Sequence, residues 1–358
     1  MTTKKQLQNL AVEAIEQIEL KKEVGYSLPV KGLSNSKFDK KRNIVTLGNK
    51  TQKRLFFNYS SAKPYLQTFL VLEKCLELLQ ENKTTSIRDL YYMAKYTIEG
   101  LNEQTFDDQT QSDGVVEDIE GTVGMLREQF GLFAASRGAM VGELTVNDSG
   151  DLINLRKQGS GGWGIPSVVE PGIIKFKKCD AKFILVVEKD ASFRRLNEDK
   201  FWKHNQCILL HGQGMPPRGV RRLVHRMHNE LKLPVYILTD NDPWGIYIYS
   251  VIRSGSMNLA FESERIAVPK AKWLGIRSND YDTYKLTKNC VIKFDKSDAS
   301  RLKQIAQYPW LQSTEWKLEF NQMKKNNFKM EIESLASKGL DFLSKYLLEK
   351  INKKNWID

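Results

Sequence analysis

Residues 183–240 contain three short apolar runs, FILVVEK, CILLHG and VYILTD, separated by stretches of helical character. A strand with one face in water alternates apolar and polar residues, whereas a run that is apolar at every position needs cover on both faces. Runs of this kind alternating with helices predict a parallel sheet with helices on either side. In such a sheet, side chains at the carboxyl ends of the strands face the crevice where ligands bind. The residues that end these strands are therefore the first place to look for chemistry.

They are acidic. The first run ends on Glu188, and VYILTDNDPWG ends on Asp240 and Asp242. Residues i and i+2 of an extended chain point the same way, so the two aspartates can converge, with Glu188 beside them on a neighbouring strand. Carboxylates held together raise one another's pKa unless a cation neutralises them. All-oxygen ligation suits a hard divalent ion, and Mg²⁺ typically takes one or two carboxylates plus waters and phosphate oxygens. A single Asp at such a place would read as a helix cap. Glu-Lys and Asp-x-Asp-Pro-x-Gly ending separate strands read as a cation site.

The N-terminal half has a different texture. The first 25 residues read as one amphipathic helix without an apolar signal core, followed by a basic, turn-containing stretch with strand-like pieces such as NIVTLG. YLQTFLVLEKCLELLQ, SIRDLYYMAKY and VEDIEGTVGMLREQFGLF carry helical periodicity, and GAMVGELTVNDSGDLINL reads as a hairpin around Asn147–Gly150. Helices followed by a small hairpin suggest a winged helix-turn-helix, which presents a helix to duplex DNA. The expected organisation is an N-terminal helix and basic extension (1–64), a winged-helix domain (65–155), a Gly- and Pro-punctuated linker (156–180), and a Rossmann-like α/β domain with C-terminal helices (181–358). The fold class is thus α/β with an α+β N-terminal part.

A formal charge of +12 and a pI near 9.3 fit a polyanionic partner. The basic residues cluster: KFDKKRNIVTLGNKTQKRLFFNYSSAKPY interleaves them with aromatics, and RGVRRLVHRMH places Arg218, Arg221 and Arg222 near a helix N-terminus, where they could grip phosphates. No apolar run approaches the ~18 residues that cross a bilayer. Cys75, Cys179, Cys207 and Cys290 lack metal spacing and read as reduced structural thiols.

SIRDLYYMAKY holds a second candidate site. Ser86 and Asp89 have capping-box spacing, so a helix begins at Ile87. Ile87, Leu90, Tyr91, Ala94 and Ile98 then form one apolar stripe, which assigns Tyr91 to the core. Tyr92 lies about 100° round, on the face of Arg88 four residues earlier. A phenol has a pKa near 10, and a neighbouring guanidinium favours the phenolate while binding a target phosphate.

EKDA at one strand end followed by DNDPWG resembles the Toprim domain of topoisomerases, bacterial-type primases and some nucleases. RDLYYM upstream of it resembles the A-subunit family of type IIB topoisomerases, to which the meiotic recombination transesterase is related. TLGNKTQKRLFFN, TFDDQTQSDGVVEDIE, GQGMPPRGVRRLVHRM, TDNDPWGIYIYSVI and YPWLQSTEWKLEFNQM extend the likeness in order, from about Lys31 to the C-terminus, and it is closer to the topoisomerases. The resemblance implies that Tyr92, the second tyrosine, is the nucleophile, that Arg88 supports it, and that Glu188, Asp240 and Asp242 hold Mg²⁺. It further implies double-stranded DNA as substrate and a homodimer in which one protomer's tyrosine works with the other's metal. A separate GHKL-type ATPase B subunit would complete a heterotetramer. The place of action would be the cytoplasm, with the nucleoid, in a prokaryote and the nucleus in a eukaryote, with no membrane. Two departures stand out: Asn241 lies where the pattern often has Gly, its side chain expected to point away from the metal, and GQGMPP replaces a more usual Tyr-Pro-Asp after the glycine.

Other readings stay open at this point: a Toprim nuclease using metal-activated water, a recombination break-maker that shares the tyrosine chemistry, and a non-enzymatic DNA-binding scaffold. GSGGWG at 159–164 formally fits a dinucleotide fingerprint, but Pro166 and Pro171 oppose a following helix. No P-loop is present, and His204, His211, His225 and His228 read as surface or packing residues.

Overall fold

The computed structural model describes residues 3–358, which divide into two compact units. The first comprises the chain up to Lys37, Thr46–Ala135 and Met257–Glu262; the second comprises Phe38–Val45, Ser136–Ser256 and Ser263–Asp358. Among the described residues no helix is long and apolar enough to cross a membrane.

In the first unit, helix α1 (Thr3–Glu19) is followed by strands β1 (Gly25–Pro29) and β2 (Thr51–Leu55), which pair antiparallel. Helices α2 (Tyr59–Glu81), α3 (Ile87–Ala94) and α4 (Gln109–Val123) then pack around Leu72, Cys75, Leu90, Tyr91, Val116 and Ile119. A short parallel pair, β3 (Thr85–Ser86) with β4 (Leu132–Phe133), closes this helical cluster. The helix expected to run through Ile98 stops at Ala94, because Lys95 turns extended and the Thr105 hydroxyl donates to Ala94 O at 2.8 Å.

The second unit is built on a six-stranded sheet. Its strands, in chain order, are β5 (Ala139–Gly142), β8 (Trp163–Gly164), β10 (Phe183–Val187), β11 (Cys207–His211), β12 (Val235–Leu238) and β13 (Lys272–Gly275). The spatial order is β8-β5-β11-β10-β12-β13; β11, β10, β12 and β13 are mutually parallel, and β5 and β8 add antiparallel at one edge. Every residue of β10, β11 and β12 is buried, as their unbroken apolar runs require. Helices α5 (Asp190–Glu198), α6 (Arg218–Leu231), α7 (Pro243–Ser254), α8 (Lys296–Ile305), α9 (Thr314–Asn326) and α10 (Phe342–Asn352) complete the unit.

The expected wing is present as a hairpin but belongs to the other unit. β6 (Leu144–Asp148) and β7 (Asp151–Asn154) pair antiparallel and turn at Ser149–Gly150, yet they fall in the second unit, directly continuous with β5. Strand β5 runs against β11 so closely that a Cβ on Gly142 would collide with Cys207 O, and this pairing carries the hairpin that follows into the second unit, where it belongs to a separate three-stranded sheet. The stretch expected as a linker, 156–180, is likewise folded. It supplies β8 and also β9 (Ile174–Cys179), which pairs with β6 through a bulge at Phe176–Lys178. Asn197 further ties it down by donating to Gly159 O and Ser160 O at 3.0 and 3.1 Å.

Helix α10 is fastened by a buried charge pair: Lys350 Nζ stands 2.7 Å from Asp280 Oδ1, and Tyr346 Oη donates to Asp280 Oδ2 at 2.7 Å. Both ions are about 1% exposed, so losing one strands the other. We expect Lys350→Ala to lower the unfolding free energy in urea by about 3–5 kcal/mol. Lys350→Met combined with Asp280→Asn should regain most of it; a single substitution that costs nothing would show the pair to be solvated.

Candidate active site

Strand β11 follows β10 in the chain and lies on one side of it, whereas β12, next in the chain, lies on the other. This reversal opens a crevice at the carboxyl ends of β10 and β12. Glu188 directly follows β10, and its N–H donates to Leu238 O at the end of β12. Asp240 comes two residues after β12, and its N–H donates to Glu188 Oε2 at 3.0 Å. Asp242 caps α7, accepting from Gly245 N–H at 2.6 Å, with Pro243 in the first helical turn. The sheet therefore brings Glu188, Asp240 and Asp242 to one crevice, and Asn241 between them is buried and faces away, as period-two alternation demands.

Confinement perturbs all three acids. Burial, and then the charges of Asp240 and Asp242, push Glu188 up to about 8. Burial pushes Asp240 up to about 6, although Lys189 and the Ile332 N–H pull the other way. Asp242 is raised too, chiefly by burial. Two lysines supply counter-charge: Lys329 acts on Asp242, and Asp240 is paired with Lys189, which the strand-end pattern of acids does not single out. Its Nζ lies 2.8 Å from Asp240 Oδ2, 3.4 Å from Glu331 and 3.2 Å from Glu333. Burial opposes its charge, and Asp240 more than compensates, keeping the ammonium protonated. In the sequence, the adjacent Glu-Lys dipeptide and the Glu331/Glu333 alternation are its only signals.

Three oxygen donors of like charge in a partly desolvated crevice have the chemistry of a hard divalent-ion site. As the side chains stand, however, no group of three His, Cys, Asp or Glu among the described residues is gathered closely enough to hold an ion. Asp240 spends one oxygen on Lys189 and the other on Ile332 N–H at 2.8 Å, and Asp242 spends one on its helix cap. The donor set fits a divalent cation in kind; seating one requires these carboxylates to reorient.

The tyrosines separate as the helical phase predicts. Ser86 caps α3, its Oγ accepting from Asp89 N–H at 3.0 Å and donating to the Asp89 carboxylate at 2.8 Å. Tyr91 is 8% exposed and packed in the core, with its hydroxyl held by Lys95 at 2.8 Å. Tyr92 is 60% exposed, and its ring contact is with Tyr91 at 5.0 Å between centroids. Arg88 is also exposed, on the same face of α3, and no hydrogen bond or ion pair engages it among the described residues.

The arginine run departs from expectation. Arg222 forms a two-pronged ion pair with Glu170 at 2.8 and 2.9 Å and donates to Arg265 O. Arg226 reaches Glu230, Val169 O and Ile174 O. Arg218 and Arg221 are 7% and 8% exposed, and Arg221 Nε donates to Pro216 O at 3.2 Å. The Arg222 and Arg226 guanidinium groups are engaged by carboxylates and backbone carbonyls, and Arg218 and Arg221 are buried, so the run is not held open to solvent. The histidines also serve packing: His225 and His228 each bond a backbone carbonyl at 2.7 Å, and His211 stacks on Phe193. The exposed basic and aromatic residues lie instead in the N-terminal stretch, where Lys50 and Lys53 accompany Phe57 at 81% and Tyr59 at 102% exposure.

Comparison with known proteins gives two family matches. Residues 183–351 match the Toprim domain shared by the A subunit of topoisomerase 6 and Spo11, and residues 63–132 match the family described as type IIB DNA topoisomerase. The A subunit of type 2 DNA topoisomerase 6 from Hyperthermus butylicus is 40% identical across 97% of this chain and 93% of its own length. Its counterpart from Pyrococcus abyssi is 39% identical across 97% and 93%. The A subunit of DNA topoisomerase 6 from Arabidopsis thaliana is 34% identical across 93% of this chain and 76% of its own.

A raised carboxyl pKa means that the folded state keeps a proton the unfolded state has released, so stability must fall with rising pH across the interval. In chelator, we expect the stability contributed by Glu188 to decline as pH rises from about 4.5 toward about 8. Glu188→Gln should flatten that slope, as should saturating Mg²⁺. Equal slopes for the parent and Glu188→Gln would contradict the assignment.

Proposed function

Because the chain belongs to the A-subunit family of topoisomerase 6, a type IIB DNA topoisomerase, we propose that it cleaves and rejoins duplex DNA through Tyr92, with a divalent cation at Glu188, Asp240 and Asp242. The observation that carries the reading is the division of labour between adjacent tyrosines: one phenol is buried and held, the other stands in solvent beside Arg88. The Tyr92 oxygen attacks a backbone phosphorus and forms a phosphotyrosyl bond to the 5′ phosphate as the bond to the 3′ oxygen breaks. The phenol proton leaves and the 3′ oxygen ends as a hydroxyl. One phosphodiester replaces another, so cleavage and religation are close to isoenergetic, and the 3′ hydroxyl can reverse the step.

Each residue has a defined task. Arg88, four residues before Tyr92, favours the phenolate and contacts the phosphate being attacked. Glu188, Asp240 and Asp242 would hold Mg²⁺, which supplies charge neutralisation at the scissile region when bound. Lys189 balances Asp240, and its further pairing with Glu331 and Glu333 would keep the ammonium compensated were that carboxylate to hold an ion. Lys50, Lys53, Phe57 and Tyr59 form a basic, aromatic surface suited to a polyanion. The helices around α3 act as the DNA-presenting part of a winged-helix-like domain. Two chains act together, the tyrosine of one with the cation of the other, so that both strands are cut. A separate ATPase B subunit couples nucleotide hydrolysis to strand passage.

A hydrolytic nuclease would use metal-bound water and leave no protein on its ends, and a scaffold would cut nothing. The deciding experiment compares Tyr92→Phe and Tyr91→Phe on supercoiled DNA with Mg²⁺ and the B subunit. We expect Tyr92→Phe to abolish 5′-linked covalent adducts and Tyr91→Phe to retain them with reduced stability. Adducts that survive in Tyr92→Phe would overturn the assignment, and cleavage without adducts in that variant would indicate a nuclease.

A further inference from the structure

The step between the two aspartates is pinned from behind. Asn241 is fully buried. Its N–H donates to Met330 O at 2.8 Å and its carbonyl accepts Met330 N–H at 3.1 Å, an antiparallel bridge. Its side-chain Nδ2 donates toward Ile276 O at 3.1 Å, Ser278 Oγ at 3.2 Å and Glu319 Oε1 at 3.3 Å. Glu319, on α9 and 3% exposed, also accepts Ser278 N–H at 2.6 Å and Arg277 Nε at 3.4 Å. One amide thereby joins the aspartate loop to the turn after β13 and to a C-terminal helix.

Geometry gives this node a role beyond packing. Successive side chains of an extended segment alternate, so a side chain anchored into the interior at 241 sends those at 240 and 242 to the opposite side. Rotating the segment would strip a buried amide and a buried carboxylate of their partners, a cost that low-dielectric surroundings make steep. Among the described residues, the hydrogen bonds and ion pair that hold the Asp240 and Asp242 carboxylates come from backbone N–H groups and Lys189, contacts that an incoming ligand can replace. The direction of their Cα–Cβ bonds is set by the residue between them.

We propose that Asn241 is a positioning residue: its hydrogen bonds to Ile276, Ser278 and Glu319 fix the directions in which Asp240 and Asp242 offer their carboxylates to a divalent cation. The proposal rests on the reading of Glu188, Asp240 and Asp242 as cation ligands. It also gives α9 a stated task, holding the aspartate loop through Glu319.

The test uses the full chain and Mn²⁺ as probe, with affinity read from the electron paramagnetic resonance of free Mn²⁺ and thermal stability measured separately in chelator. Asn241→Ala is expected to weaken Mn²⁺ binding about tenfold, as loss of an outer partner of a metal site generally does. Tyr346→Phe, which removes a buried hydrogen bond elsewhere in the same unit, should lower the melting temperature and leave Mn²⁺ affinity unchanged. Parent-like Mn²⁺ affinity in Asn241→Ala, whatever its melting temperature, overturns the proposal. If Asn241→Ala does not fold, Ser278→Ala, which deletes one hydroxyl partner of the Asn241 amide, should show a smaller loss in the same direction, and parent affinity there overturns it equally. Glu188→Gln separates the two layers: parent-like Mn²⁺ binding in that variant removes the carboxylate site itself. Weakened binding in Glu188→Gln with parent binding in Asn241→Ala removes only the positioning role.

Discussion

Like charges confined at one edge of a sheet are the constraint around which the second unit is arranged. Glu188 and Asp240 are close enough for the backbone N–H of one to bond the carboxylate of the other, and Asp242 lies one extended step further on. Three ionised carboxylates in such a place repel one another, and burial increases the cost. The fold meets that cost with local dipoles and with the charges of Lys189 and Lys329. Backbone N–H groups of Ile332 and Gly245 point at Asp240 and Asp242, and Lys189 brings an ammonium that is itself shared with Glu331 and Glu333. Nothing in the packing of the sheet requires these acids. A strand end that ran on in Val and Ile would be simpler to fold, so their retention in a desolvated crevice points to chemistry.

This burden explains why the chain after β13 folds back over the crevice instead of merely covering the sheet. Met330 bridges Asn241, Ile332 supplies a donor to Asp240, and Glu331 and Glu333 secure Lys189, all within four consecutive residues. Helix α9 adds Glu319 behind the loop. Below these contacts, the Lys350–Asp280–Tyr346 node ties α10 to the region around Arg277, whose N–H also donates to Asp280 at 2.9 Å. The C-terminal helices thus act as a brace for the acidic edge. Their amphipathic periodicity shows that they pack, while the polar groups on their buried faces show what they pack for.

What was legible in the sequence follows from which interactions are local. The parallel strands could be read because full burial imposes an apolar residue at every position. The fates of Tyr91 and Tyr92 could be read because helical phase alone separates a core position from an exposed one. Asn241 could be placed on the far side of its loop by alternation, although its partners after β13 and on α9 could not be named. Long-range choices stayed hidden. β5 joins the sheet by pairing with a strand some 65 residues later, and that pairing carries the hairpin into the second unit. Gly and Pro through 159–171 suggested a linker, but short edge strands fit beside and between them. The arginines misled for a different reason: sequence gives their charge, whereas the direction of a long flexible stem depends on whether a Glu170 or a carbonyl waits in the fold.

The contrast between the two candidate sites bears on how the chemistry must work. The acids are buried, shifted and heavily bonded, whereas Tyr92 is exposed, on a short helix that also carries Arg88. A phenol side chain is a poor nucleophile by itself, which protects the protein and its surroundings from idle reaction. On the proposed reading, its reactivity would be created by what arrives at it: the guanidinium within one helical turn, a phosphate that draws both together, and a divalent cation brought to the same linkage. An exposed phenol also remains a good enough leaving group to be displaced by the 3′ hydroxyl. Burial would instead raise the phenol's pKa and disfavour the attacking phenolate. On the proposed reading, the exposure of Tyr92 leaves it open both to a duplex and to the 3′ hydroxyl that would reseal the strand.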